Sequence, residues 1–85
     1  MSVKNQESWH RIPLPRAILE IVAARQEGTL ESKLEATLKK EYGIEVSKSE
    51  IYRALVLLEL QGLVYVEAAG REFIIRPTPQ LYQSR

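Results

Sequence analysis

A chain of 85 residues forms one small domain, able to bury roughly 60% of its unfolded surface, and leaves no room for a second. It has no cysteine, so neither disulfides nor a zinc ribbon brace the fold, and packing alone must stabilise it. The formal net charge of +1 excludes a globally basic surface, so any contact with nucleic acid must come from where the charges sit.

The start, MSVKNQESWHRIPLP, has no apolar run of signal-peptide length, and nowhere is a stretch long enough to cross a bilayer. A cytoplasmic, nucleoid-associated protein without membrane contact is expected. Every acidic residue is Glu, Asn occurs only at Asn5 and Met only at the start, a composition that leans toward a thermophile.

In chain order, residues 1–13 form an N-terminal arm containing Trp9, His10 and Arg11. The arm either lies on DNA or packs Trp9 on an apolar patch, and packing is the expectation for a lone Trp. From Leu14 onward, Ala17, Ile18, Ile21 and Val22 follow the three-and-four spacing of one helix face, with Pro15 in the first turn and Gly28 placed to end it. A second helix runs from Thr29 or Leu30 to Tyr42, carrying Leu30, Leu34 and Leu38, with Lys39 and Lys40 near its negative end and Gly43 as its stop. Thr29 either caps this helix or sits in a short strand before it.

The stretch SKSE has the form of a capping box between Ser47 and Glu50, which starts a third helix at Lys48 that ends at Gly62. On its inner side fall Ile51, Ala54, Leu55, Leu58 and Gly62. LVYVEAAGREFIIRP reads as a β-hairpin turning at Ala69-Gly70 and closed by Pro77 and Pro79, with Phe73, Ile74 and Ile75 as a partly buried strand. Residues 77–85 show no periodicity and are expected to be mobile past Pro79 unless Leu81 and Tyr82 anchor them.

Three helices followed by a two-stranded hairpin, mostly α, give the order of a helix-turn-helix with a wing. The residues Ile51-Tyr52-Arg53-Ala54-Leu55, then Leu58-Glu59 and Gly62-Leu63-Val64, resemble the winged-helix domains of small transcription regulators, including the PadR and ArsR families, over residues 14–76. The resemblance implies a DNA-binding regulator whose third helix enters the major groove of double-stranded DNA. The same fold also serves as a protein-binding module.

The outward arc of the third helix carries Ser49, Tyr52 and Arg53 beside Lys48 at its start, which are hydroxyl, guanidinium and ammonium groups suited to base edges and phosphates. Arg53 is the strongest single candidate; its bland alternative is a solvated arginine paired with Glu50 or Glu59. Arg71 at the hairpin tip and Arg76 at its far end stand where the resembled family places wing contacts to the backbone, with Glu-Arg pairing across the strands as the plain alternative.

The trailing half of that arc is apolar. Val56, Leu57 and Leu60 need a cover: Trp9 of the arm, Leu81 and Tyr82 of the tail, a second copy forming a homodimer, or another protein. That patch motivates the rival function, a winged-helix adaptor in a transcription, replication or ribosomal assembly. With one His, no Cys and no Asp, the chain offers no metal cluster, nucleophile-base-acid set or phosphate loop, so neither an enzyme nor a cofactor is expected.

Overall fold

The computed structural model describes residues 12–83, so the arm residues Trp9, His10 and Arg11 lie outside the described residues. Helix α1 spans Leu14–Ala23 and buries Ala17, Ile18, Ile21 and Val22, the stripe that the spacing predicts. It ends short of Gly28, because the positions that would continue the stripe are taken by the exposed Arg25 and Gln26.

The chain then forms a short strand β1, Thr29–Leu30, before helix α2, Glu31–Tyr42. Helix α2 stops where Gly43 adopts a left-handed φ of 66°, a conformation that costs a residue with a Cβ and that lets the Ile44 amide donate back to the Leu38 carbonyl at 2.9 Å. Helix α3, Lys48–Leu60, begins at the expected capping box: the Glu50 amide donates to Ser47 Oγ and the Ser47 amide donates to the Glu50 carboxylate.

Strands β2, Val64–Ala69, and β3, Glu72–Pro77, pair antiparallel with Val66 opposite Ile75. The two-stranded hairpin expected from the pattern is in fact part of a three-stranded antiparallel sheet of order β1-β3-β2, because Thr29 and Leu30 pair with Ile75 and Ile74. A two-residue strand is too short to show alternation, so its pairing left no mark in the hydrophobic pattern.

Of the two expectations for the tail, the anchored one holds through Tyr82, and the short helix it forms is the unexpected part. Residues Pro79–Gln83 form a short helix α4, anchored where the Thr78 hydroxyl donates to the Gly62 carbonyl at 2.6 Å and the Tyr82 hydroxyl donates to the Ala23 carbonyl at 3.0 Å. Its order comes from these polar contacts at the ends of α1 and α3, and not from an apolar stripe.

The protein is thus a small helical domain with a three-stranded antiparallel sheet, and four helices among the described residues. Its core joins α1, α2 and α3 to the sheet through fully buried Ile18, Val22, Leu34, Leu38, Leu58, Val64 and Ile75. Phe73 is the exception to the strand reading: it shares the inward face of β3 with the buried Ile75, but it sits two residues nearer the turn, where the core gives out and the Tyr52 ring meets it edge-on, so 41% of its surface is exposed. No helix among the described residues is long and apolar enough to cross a membrane.

Candidate nucleic-acid interface

The inner face of α3 is Ile51, Ala54, Leu55 and Leu58, all buried, which forces Ser49, Tyr52, Arg53, Val56, Leu57 and Leu60 outward. Each of these six is exposed, so the division of the helix into a polar leading end and an apolar trailing end holds on the folded surface.

At the leading end the candidates separate into two groups. Lys48 and Tyr52 converge on Glu31, the first residue of α2. The Lys48 ammonium stands 3.6 Å from the Glu31 carboxylate and 4.0 Å from that of Glu35, and the Tyr52 hydroxyl donates to Glu31. The Phe73 amide donates to the other Glu31 oxygen at 3.2 Å, and the Tyr52 ring meets Phe73 edge-on with centroids 6.0 Å apart. Glu31 is only 7% exposed, a buried carboxylate whose lone pairs are taken up by groups from α3 and β3.

Glu72 completes this junction from the opposite side, accepting from the Ser32 amide at 2.9 Å. A hairpin carboxylate thereby satisfies one of the free amides at the start of α2, which has no side-chain cap of its own. The Tyr52 hydroxyl, ahead of the Phe73 amide and the Lys48 ammonium, holds the Glu31 carboxyl below its ordinary range, against the opposing pull of burial. The same hydrogen bond to a carboxylate raises the Tyr52 phenol.

Arg53 faces away from this junction. It lines a shallow, mostly apolar depression of about 350 Å³ with Leu14, Val46, Glu50, Ala54 and Leu57, and among the described residues it forms no ion pair, neither with Glu50 nor with Glu59. Ser49 Oγ lies 3.2 Å from Ser47 Oγ at the first turn.

The hairpin arginines do not act together. Arg71 is exposed at the turn, next to the Glu72–Phe73 pair that grips α2. Arg76 lies five residues further along the strand, roughly 17 Å away for extended chain. There its guanidinium donates to the Glu67 carboxylate at 3.0 Å and to the Glu27 carbonyl at 2.8 Å. The cross-strand Glu-Arg alternative therefore describes Arg76, while Arg71 has no ion pair among the described residues.

On the trailing half, Val56 is 55% exposed, Leu57 47% and Leu60 79%. The described part of the tail does not cover them, since α4 is tied to Gln61, Gly62 and Ala23. Between α3 and the hairpin a second apolar depression, of about 160 Å³, is lined by Tyr52, Leu55, Val56, Glu59, Val66 and Phe73.

Two residues at this surface escaped the sequence reading, Glu31 and Phe73. A Glu in the first turn of a helix looks like an ordinary solvated carboxylate, and only the packing of residues 17 to 42 positions away, Lys48, Tyr52 and Phe73, buries it. Among the described residues no group of three or more His, Cys, Asp or Glu side chains is placed to hold a metal ion. No family model matches the chain, and neither a curated protein nor a solved structure does.

Proposed function

We propose that the protein is a winged-helix regulator that binds double-stranded DNA, with the leading end of α3 in the major groove and the hairpin tip on the adjacent backbone. One observation carries this: the Tyr52–Phe73 contact and the Glu31 junction tie the start of α3 to the residues next to the hairpin turn, so the exposed Ser49 and Arg53 of the helix and Arg71 of the tip are held in a fixed relation to one another. The element order, with a short strand between the first two helices that pairs with the returning hairpin strand, supports the same reading.

Roles follow from what each group is free to do. Arg53 reads a base edge, and a fork onto guanine suits its unpaired guanidinium. Ser49 and the capped start of α3 offer hydroxyl and amide donors to phosphate. Arg71 supplies a backbone contact, and Lys48 adds a cation at the flank with 61% of its side chain exposed. Tyr52 and Arg76 hold the frame.

Few cations are available, so binding per copy is weak and only shallowly salt-dependent. Two to three phosphate contacts give a slope of log affinity against log salt of roughly −2 to −3. Fluorescence polarisation with genomic duplexes at two salt concentrations tests the assignment. Arg53→Ala should cost about 1–3 kcal/mol on a preferred site. An unchanged affinity in that variant, or no binding at low salt, defeats it.

A second reading rests on a different observation, the exposure of Val56, Leu57 and Leu60, and makes α3 a protein-docking helix in a larger assembly or across a homodimer. Leu57→Glu separates the two. Loss of a defined partner or of self-association with DNA binding intact supports docking, and unchanged association argues against it.

A further inference from the structure

We propose that Glu31 is a positioning residue that sets the hairpin against α3, so that the hairpin tip and the leading end of α3 meet one duplex together. This rests on the DNA-binding reading above, but the junction itself is a property of the free protein.

The geometry supports a clasp and not an incidental contact. The two oxygens of one buried carboxylate receive donors from two different elements, the Tyr52 hydroxyl of α3 and the Phe73 amide of β3, and Lys48 of α3 adds its charge at 3.6 Å. The bond is answered in the other direction, since Glu72 of β3 accepts from the Ser32 amide of α2 at 2.9 Å. The reciprocal pair zips the start of α2 to the residues next to the hairpin turn, while Thr29 and Leu30 continue the same seam as sheet pairing with β3.

The contacts that otherwise join α3 to the hairpin near its tip are the half-exposed Tyr52 and Phe73 rings, in edge-on contact. Ring contact alone permits sliding; charged hydrogen bonds to a fixed carboxylate set distance and angle. Because Arg71 is two residues from Phe73, its position relative to Arg53 depends on this junction.

Glu31→Gln tests the clasp, because a neutral amide cannot pair with Lys48 and leaves one uncharged acceptor oxygen where the carboxylate offered two charged ones to Tyr52 and Phe73. In the free protein, amide hydrogen exchange at Phe73 should quicken about tenfold, the factor for losing one hydrogen bond to a charged group, while the core amides of Val22 and Leu38 keep their wild-type protection. In duplex binding, Arg71→Ala should lower the salt slope by about 0.9 in the wild type and have no effect in the Glu31→Gln background. Unchanged exchange at Phe73, or an undiminished Arg71→Ala effect, overturns the proposal.

If Glu31→Gln fails to fold, Tyr52→Phe removes only the hydroxyl donor and keeps the ring; exchange at Phe73 should still quicken, and no change there overturns the clasp. A wild type that binds no duplex overturns the DNA reading alone. The exchange comparison then decides the clasp by itself, quickening supporting it and constancy refuting it.

Discussion

Arg53 and Glu31 are the two residues on which this surface turns, and they differ in how visible they were. Arg53 is legible because the three-and-four spacing of Ile51, Ala54, Leu55 and Leu58 fixes the buried side of α3 and leaves Arg53 outside. Glu31 is not, because its burial is created by Tyr52, Lys48 and Phe73, which are remote in sequence. Its carboxyl is held below its ordinary range by the Tyr52 hydroxyl first, then by the Phe73 amide and Lys48. A carboxylate depressed in the folded state stabilises the fold above its unfolded pKa, and that contribution is lost as pH falls through the lower, folded value. The charged side chains around it are those of Lys48, Glu35 and Glu72. Thermal melts of wild type and Glu31→Gln should therefore differ most at neutral pH, and the gap should narrow as pH falls below the ordinary glutamate value of about 4.3. A gap that does not narrow on further acidification would mean that the ionised carboxylate is not what holds the junction.

At the scale of elements, local signals were reliable where the backbone obeys a local rule. The SKSE box and the Gly43 stop each follow from residues adjacent in sequence and stand where the pattern puts them, while the hairpin turn falls one residue later than expected, at Gly70-Arg71, because Ala69 still pairs with Glu72. Ser47→Ala removes the cap and should cost about 1 kcal/mol in chemical denaturation, with no change in the slope of the transition. What escaped was non-local: the pairing of β1 with β3, and the contact of Thr78 with the Gly62 carbonyl that starts α4, whereas Tyr82 as an anchor of the tail was among the expectations. The pair Thr78-Pro79 was a usable signal, since Pro favours a first helical turn, but five residues carry too little periodicity to be recognised. Thr78→Ala breaks the hydroxyl bonds to the Gly62 and Leu63 carbonyls and should cost about 1 kcal/mol, read from the same denaturation curves. Gly28 is a stricter case. Its φ of 107° is open only to glycine, and a Cβ there would lie 2.7 Å from Ile74 Cδ1, so Gly28→Ala should cost about 1–3 kcal/mol and strain the β1–β3 pairing.

For the whole molecule, one helix presents two surfaces in series. Its leading end is polar and locked to the hairpin, and its trailing end carries Val56, Leu57 and Leu60 in water. Near-neutral charge follows the same logic, since Lys48 and Arg76 are matched by carboxylates of the fold and only Arg53 and Arg71 of the candidate cations lack an ion pair among the described residues. Sedimentation of the free protein reports on the trailing end: self-association weakened by Leu57→Glu is the outcome if a second copy covers it, and a monomer at high concentration leaves that end to another occupant. The claim that α3 reads DNA is tested most directly by following backbone amide resonances while a preferred duplex is added. Shifts centred on Ser49 to Arg53 and on Gly70 and Arg71, growing together, are the predicted result; shifts confined to Val56, Leu57 and Leu60, or none at all, would contradict it.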